Sequence, residues 1–286
     1  MRHAKRFSRT FVIILLVAWA LWAIVPALIT FQTSFLPTYA VVNPIQFIRR
    51  ASLRNWTTLP GTLLLKWFKN SVIVCGLTTI SATFVAALGG YGFAKYDFPG
   101  KKTLFWLFPL AMTIPPMMLF LPRFFIIKTL GLVDSYPGLI LPFVIYPAGV
   151  FFARQYILGI PDELAEAARL DGASEFQTFR LIIMPLCLPL LAILSLFTFM
   201  PIWGSFMWQF LVARNPDLFT VVVGVGNLLR SFESGGEFVI NMVGKKAGYI
   251  EGIQAAASIL LAVPPLIVFA LGQRYFLQGL KVGAPQ

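Results

Sequence analysis

Histidine and acidic side chains are scarce in this chain, and their positions exclude several kinds of catalytic site. The only histidine is His3, and Asp and Glu together make up 11 of the 286 residues. None of those acids falls inside the apolar spans defined below. A histidine base, a histidine metal cluster or the acidic proton relay of a proton-driven carrier therefore cannot form there. We expect no catalytic residue, no metal site and no enzyme activity.

Cysteine is equally rare, and a nucleotide-binding loop is missing. Cys75 and Cys187 both lie in apolar runs, where they serve as small apolar residues and not as a disulfide or metal framework. A phosphate-binding loop needs a glycine, four residues and then Gly-Lys-Ser/Thr. The runs from Gly100 to Thr103 and from Gly244 to Lys246 lack that order. Any ATP hydrolysis linked to this protein must take place in a partner.

Charge is sparse as well, and long apolar runs stand in its place. Apolar residues make up 58% of the chain and charged residues 12%. Crossing about 30 Å of hydrocarbon takes roughly 20 helical residues, and the sequence holds six runs that reach or approach this length. The sequence therefore predicts an all-α integral membrane protein, a single transmembrane domain over 1–286 with six transmembrane helices. The predicted spans cover residues 10–31, 67–94, 103–126, 136–156, 185–210 and 252–274.

A basic cluster before the first span indicates how the chain is oriented. Arg2, Lys5, Arg6 and Arg9 precede this span, and cytoplasmic loops carry an excess of Lys and Arg. The loops as a whole do not decide the matter, because the predicted inner side holds 12 of the 23 basic residues. A cleaved signal peptide is the alternative, but the apolar run 11–31 exceeds an ordinary signal core. We predict an uncleaved first helix, with both termini inside.

The connection between the fourth and fifth spans, residues 158–184, is long and polar. Pro161 followed by two acids favours a helix start, and Gly172 favours a helix end with positive φ. Ser174 with Gln177 forms a capping box that starts a second helix. The sequence thus predicts a cytoplasmic helix-turn-helix, which is either a plain surface hairpin or a platform for another protein. Its alanine-rich patch consists of Ala165, Ala167 and Ala168.

Within this connection, Glu166 to Ala168 are followed by three residues, Gly172, nine residues and then Ile182 to Pro185. This spacing resembles the EAA motif, the signature loop of ABC importer permeases, with Met184 where leucine is commoner. The run from Asp171 to Ser174 resembles the carbohydrate-importing, maltose-type branch of that family. The resemblance implies that the loop sits in a cleft of an ATPase subunit. The implied coupling residues are Glu163, Glu166, Ala167, Ala168, Asp171 and Gly172.

The resemblance also implies a role and a set of partners. It suggests a permease subunit of an ATP-driven importer for a sugar or oligosaccharide, in the bacterial cytoplasmic (inner) membrane. Such a subunit forms half of the pathway beside a second homologous permease, and an extracytoplasmic binding protein delivers the cargo. ATP and Mg bind to two ATPase subunits, so no cofactor is expected in this chain; membrane lipid is a further partner and nucleic acid is not. The alternatives are an importer of another solute, such as glycerol phosphate, and a membrane scaffold that transports nothing.

Candidates for lining the pathway lie in the fifth span. Aromatic faces and an amide suit sugar rings and hydroxyls, which favours Trp203, Phe206, Trp208 and Gln209. Helix packing and an interfacial aromatic belt are the alternative roles for these side chains. Gly204 stands where the sugar permeases often have asparagine, so polar contacts beside Trp203 are in question.

Basic residues outnumber acidic ones on the predicted outer side, eleven to five. A neutral sugar gains nothing from a positive field, whereas an acidic oligosaccharide or an acidic binding protein would be guided to the mouth. The alternatives are anchoring to lipid headgroups by snorkelling, above all for Arg123, Lys66 and Lys69, and simple solubility. The eleven basic residues are Arg49, Arg50, Arg54, Lys66, Lys69, Arg123, Lys128, Arg214, Arg230, Lys245 and Lys246.

Overall fold

The computed structural model describes residues 2–36, 47, 50–58, 63–233 and 250–282. Within these residues the chain forms helices and turns with no β-strand, which confirms the all-α prediction. The predicted outer residues Arg49, Lys245 and Lys246 lie outside the described residues. The helices in chain order are α1 Arg2–Ser34, α2 Arg54–Thr58, α3 Leu64–Lys95, α4 Lys101–Met112, α5 Phe120–Thr129, α6 Tyr136–Ile140, α7 Pro147–Leu158, α8 Asp162–Leu170, α9 Glu175–Thr178, α10 Met184–Leu186, α11 Leu188–Trp203, α12 Met207–Val212, α13 Val221–Glu233 and α14 Ile250–Val282.

Three helical stretches are long and apolar enough to cross a membrane: Thr10–Ser34, Leu64–Lys95 and Gly252–Tyr275. Two pairs of helices pass the same test together but are bent, and the described residues therefore supply three spans, or up to five if each pair is one span. The pairs are Tyr136–Phe143 with Pro147–Leu158, bent by 47°, and Glu175–Leu186 with Leu188–Trp203, bent by 81°.

The predicted third span, 103–126, is not one continuous helix. It is divided into α4 and α5, with residues 113–119 between them. Pro115 and Pro116 lie in that interval, and proline both removes a backbone donor and collides with the preceding turn. Judged by length and composition, the described residues therefore contain fewer than the six spans that the sequence predicts.

Prolines also accompany the bends in the next two predicted spans. Pro147 opens α7 directly after the 47° bend. We expected the fifth span to begin at Pro185, but the chain turns by 81° between α10 and α11, and the straight helix begins at Leu188. Pro189 stands in the first turn of α11, where a missing amide donor is tolerated.

The chain divides into two compact units. The first consists of Met1–Leu65 and Val225–Ala262, and the second of Lys66–Gly224 and Val263–Gln286. Within the first unit, Asn55 is buried, and its Nδ2 donates to the backbone carbonyls of Ser34, the last residue of α1, at 2.9 Å and of Leu36 at 3.0 Å. These bonds satisfy carbonyls at the end of α1 that have no partner inside the helix.

Within the second unit, α3 and α7 approach closely at Gly90. A Cβ on Gly90 would lie 2.4 Å from the Cβ of Ala153 and 2.8 Å from the backbone nitrogen of Arg154. Small side chains allow such an approach, and contact area drives helix packing in lipid. Gly92, two positions beyond the contact, has open space around it.

The two ends of α3 carry different sets of partners. The 32 residues of α3 extend about 48 Å at about 1.5 Å per residue. Near its start, Trp67 Nε1 donates to the carbonyl of Pro216 at 2.8 Å, and Tyr136 Oη donates to Asn70 Oδ1 at 2.6 Å. At its end, Lys95 contacts the start of α8. The connection 158–184 therefore lies at the opposite end of the second unit from the segment that follows α12.

Candidate functional site

The connecting hairpin, residues 158–184, has the helix-turn-helix form that the sequence predicts. Its first helix, α8, begins at Asp162 directly after Pro161 and carries two acids in its first turn. Its second helix begins after Ser174, whose backbone N–H donates to Gln177 Oε1 at 2.7 Å while Ser174 Oγ accepts from the Gln177 backbone at 3.3 Å. The predicted capping box is confirmed.

The turn between the two helices depends on Gly172. Its φ is +84°, which confirms the expected positive φ. The Gly172 N–H donates to the Arg169 carbonyl at 3.0 Å, and the Ala173 N–H donates to the Ala168 carbonyl at 2.9 Å. These two bonds form a Schellman motif, which satisfies the last carbonyls of α8 and directs the chain sharply into the second helix.

The start of the hairpin is tied to the end of α3. Lys95 Nζ donates to Asp162 Oδ1 and to the carbonyl of Ile160, both at 2.5 Å. The Lys95 side chain is 5% exposed and that of Asp162 is 74% exposed, so the ion pair joins a buried ammonium to a carboxylate at the surface. The hydrogen bond and the positive charge of Lys95 hold the pKa of Asp162 below its ordinary value.

A second connection joins the hairpin to the same end of α3 through Glu175. Arg169 donates to its carboxylate from Nε at 2.8 Å and from Nη2 at 3.3 Å. The hydroxyls of Tyr91, at 3.4 Å, and Tyr96 donate to the same carboxylate. Sequence reasoning missed both connections, although it did place Lys95 on the same side of the membrane as the hairpin.

The outer surface of α8 is exposed in the described structure. Ala165 is buried within the chain, so the proposed alanine patch is not a continuous exposed surface. The side chain of Leu170 is 89% exposed, which is unusual for an apolar residue outside the membrane. The other predicted coupling residues of the hairpin are exposed, apart from the half-buried Ala168; they are Glu163, Glu166, Ala167, Asp171 and Gly172.

Three acids on this surface have no ion-pair partner among the described residues. In the part of the chain that the structure describes, Glu163, Glu166 and Asp171 form no ion pair. By contrast, Asp162 and Glu175 are engaged by Lys95 and Arg169, respectively. The hairpin thus separates into acids that hold it to the end of α3 and acids that form no ion pair with a described residue.

The structure places most of the predicted pathway residues in internal contacts. Trp203 is buried between Phe199 and Phe68, with ring centroids 5.5 and 5.8 Å away. Trp208 is buried too, and its ring meets those of Phe120 and Phe143 edge to face, each at 5.7 Å.

Gln209 is also buried, and both ends of its amide are hydrogen-bonded. Its Nε2 donates to the carbonyl of Ile202 at 2.9 Å, and its Oε1 accepts from the hydroxyl of Thr220. Phe206, half-buried, stacks on Phe210 at 5.3 Å. Among the described residues of the second unit, the contacts of these four side chains fit the alternative that they pack helices together.

A cavity of about 470 Å³ lies in the second unit, lined by residues of α4, α5, α7 and α11 and of the segments between α4 and α5 and between α6 and α7. The two proline-containing breaks of the predicted third and fourth spans form part of its wall. None of the four predicted pathway residues lines this cavity. Its lining includes Pro116, Arg123, Phe143, Tyr146, Phe197 and Pro201.

Arg123 is the charged residue of the cavity lining, and its guanidinium lies 5.8 Å from the ring centre of Phe143. In the described residues no carboxylate lies within ion-pair distance of it. The sequence had suggested a headgroup anchor for Arg123. Its position inside the predicted span 103–126 could have indicated a functional role from the sequence alone, because a charge within a membrane span is costly.

Comparison with known proteins gives consistent matches. Residues 80–282 match the family model described as "Binding-protein-dependent transport system inner membrane component". The arabinooligosaccharides transport system permease protein AraQ of Bacillus subtilis (strain 168) is 35% identical over 234 residues, covering 81% of this chain and 78% of that protein. The sn-glycerol-3-phosphate transport system permease protein UgpE of Yersinia pestis is 33% identical over 236 residues, 82% and 78% of the two chains.

The fold also matches a solved structure. A chain of a bacterial ABC transporter involved in the import of the acidic polysaccharide alginate superposes with a TM-score of 0.80, at 21% sequence identity. The match covers 96% of this chain and 98% of the other. At this identity the similarity establishes a common fold.

Proposed function

Because the chain belongs to the family of binding-protein-dependent transport system inner membrane components, we propose that it is the permease of an ABC importer for a sugar or oligosaccharide. The observation that carries this proposal is the similarity, over most of both chains, to a permease named for arabinooligosaccharide transport. The structural match to an alginate importer is in keeping with it. In such an importer the permease provides the membrane path and a partner provides the ATP hydrolysis.

The connecting hairpin is proposed to be the contact with the ATPase. Its exposed face combines an apolar residue, Leu170, with two acids, Glu163 and Glu166, that have no ion-pair partner among the described residues. An apolar centre with charges around it is the composition of a protein interface. A basic cleft on the ATPase would complement the acids, and such complementarity fixes orientation more than affinity. A scaffold protein would have no need of this contact.

The topology follows from the same assignment. With the hairpin at the ATPase, the Lys95 end of α3 lies in the cytoplasm and the Trp67 end lies outside. The basic residues at the start of α1 are then cytoplasmic, in agreement with the positive-inside rule, so we propose that both termini are inside. This subunit is further proposed to form half of the pathway beside a second permease, with a binding protein at the outer end.

Glycerol phosphate is a second candidate cargo. The observation that favours it is the 33% identity to permeases named for sn-glycerol-3-phosphate transport. The two candidates differ in size and charge. An importer reconstituted with its own binding protein distinguishes them by direct uptake of labelled arabinooligosaccharide and labelled glycerol phosphate.

The proposal is tested by co-expressing the permease with its ATPase and measuring co-purification and ATP-dependent uptake. Glu166→Lys should weaken both, because it places a positive charge against a basic cleft. Asp97→Lys is the matched control. Asp97 is a fully exposed acid that follows the Lys95 end of α3, and it pairs with Lys101 four residues along the chain. Normal ATPase association and uptake by a folded Glu166→Lys variant would contradict the assignment of the hairpin.

A further inference from the structure

We propose that Arg123 and the cavity beside it form a subsite for an anionic group of the cargo, such as the carboxylate of a uronate unit. This inference rests on the proposed transport function and adds a cargo class to it. It assigns selection of acidic oligosaccharides to one residue of the permease, in addition to any selection by the binding protein.

The first argument is the charge itself. Charged side chains within membrane spans are costly, and they pair with one another or mark the path of a substrate. Arg123 has no ion-pair partner in the described part of the chain. Two other acids already have partners. Asp134 accepts hydrogen bonds from the backbone N–H groups of Arg214 and Asn215, and Asp217 forms an ion pair with Lys66. The guanidinium is thus left for an anion that none of the described residues supplies.

The second argument is the shape of the cavity. At about 470 Å³ it falls within the range of about 300–1,000 Å³ that small-molecule sites occupy. Two interrupted helices border it, one at residues 113–119 and the other at the 47° bend. Non-helical backbone at membrane depth is tolerated where it lines a cavity or is buried in protein, and broken helices commonly form the substrate sites of transporters.

The third argument is the chemistry of the wall. The rings of Phe143, Tyr146 and Phe197 offer apolar faces of the kind that sugar rings contact. Pro201, inside α11, removes the amide donor that would otherwise bond to the Phe197 carbonyl. That carbonyl can accept a hydrogen bond from a sugar hydroxyl, while the guanidinium of Arg123 can donate two parallel bonds to a carboxylate.

The direction of the Arg123 side chain separates this site from a headgroup anchor. A snorkelling arginine extends along the helix to the membrane surface. The guanidinium of Arg123 instead lies beside the ring of Phe143, which is itself part of the cavity wall. Cation–π contact leaves the edge of the guanidinium, with its N–H donors, open to an anion.

The test uses the importer complex, with its ATPase and binding protein, in phosphatidylcholine vesicles. Uptake is measured for a uronate trisaccharide and for a neutral trisaccharide of the same length. Arg123→Gln should reduce uptake of the uronate cargo relative to the neutral one by about tenfold or more, as expected for loss of a charged hydrogen bond. Lys128→Gln is the matched control, because Lys128 is a basic residue of the same helix that does not line the cavity.

The outcomes separate the two proposals. A wild-type complex that moves neither trisaccharide with ATP would overturn the proposed function. If it moves only the neutral one, or if Arg123→Gln affects both cargoes equally or neither, the subsite is overturned while the transport function stands. The loss must also persist in vesicles that contain phosphatidylglycerol. A defect confined to those vesicles would assign Arg123 to a lipid headgroup and overturn the subsite.

Discussion

The ammonium of Lys95 lies 2.5 Å from a carboxylate oxygen of Asp162, and this ion pair joins the last residue of α3 to the first residue of α8. One partner belongs to a continuous membrane-spanning helix and the other to the hairpin proposed to contact the ATPase. We therefore expect a displacement of α8 to act on α3 through this ion pair. Contacts of this kind allow nucleotide-driven motion to bias a pathway between two shapes.

Loss of the ion pair should uncouple hydrolysis from transport. Lys95→Met removes the charge and the donor to two hairpin oxygens, so we expect ATP hydrolysis to continue while uptake per ATP hydrolysed falls several-fold. The measurement is simultaneous uptake and phosphate release in vesicles. Lys101→Met is the control, since Lys101 pairs with Asp97 at 3.0 Å within one turn and connects no two elements. An unchanged uptake-to-ATP ratio for Lys95→Met would count against this role.

The same ion pair should be insensitive to mild acid. Because the pKa of Asp162 is depressed in the folded protein, the stabilisation is fully present above the ordinary pKa of aspartate and is lost only as pH falls through the folded-state value. The ratio of wild-type to Asp162→Asn uptake should therefore be the same at about pH 7 and about pH 5. A ratio that declines between these two values would show that Asp162 titrates higher than the contact with Lys95 allows.

Substitutions of Gly172 should damage the hairpin in order of side-chain size. A residue other than glycine at φ +84° costs about 1–2 kcal/mol, and a β-branched side chain costs more. Gly172→Val should thus reduce ATPase co-purification more than Gly172→Ala. The control is Gly100→Val, because Gly100 has φ +80° and equally open surroundings but lies outside the hairpin. Equal loss of ATPase binding in both valine variants would point to a general folding defect.

Two glycines of α3 should respond oppositely to alanine. Gly90→Ala brings a methyl group against Ala153 and the α7 backbone, and overpacking of this kind costs about 1–3 kcal/mol. Gly92→Ala meets open space, so removing a helical glycine should leave stability unchanged or raise it by up to about 1 kcal/mol. Thermal unfolding of the purified permease measures both. Equal melting temperatures for the two variants would contradict the close approach of α3 and α7.

Gln209 should act on stability and not on cargo choice. Gln209→Leu removes the partner of the Ile202 carbonyl and of the Thr220 hydroxyl, and each buried group left unpaired costs about 1–3 kcal/mol. We expect a lower melting temperature with an unchanged order of cargo preference. Gln155→Leu controls for the change in polarity, since Gln155 is exposed. A changed cargo preference without loss of stability would restore Gln209 as a pathway residue.

Local signals in the sequence predicted the hairpin well. Pro161, Gly172, Ser174 and Gln177 act through bonds to residues within a few positions along the chain, so their effect does not depend on the rest of the fold. The same is true of membrane insertion, which depends on the length and polarity of each apolar run. Sequence reasoning therefore identified the all-α membrane class and the turn at Gly172.

The continuity of the spans and the roles of individual side chains depended on tertiary structure. The sequence showed Pro115 and Pro116, but whether prolines kink a helix or divide it depends on what packs around the freed backbone. In the same way, sequence chemistry suited Gln209 for sugar contact, yet Ile202 and Thr220, which lie 7 and 11 residues away along the chain, already satisfy its amide in the folded protein.

The sequence by itself determined which segments are apolar enough for lipid and where the hairpin turns, because these properties are local. Only the tertiary structure decided that Lys95 meets Asp162 and that Arg123 borders a cavity. Both facts depend on which helices lie side by side. Spans of similar apolar composition can pack in many arrangements, and hydropathy does not distinguish among them.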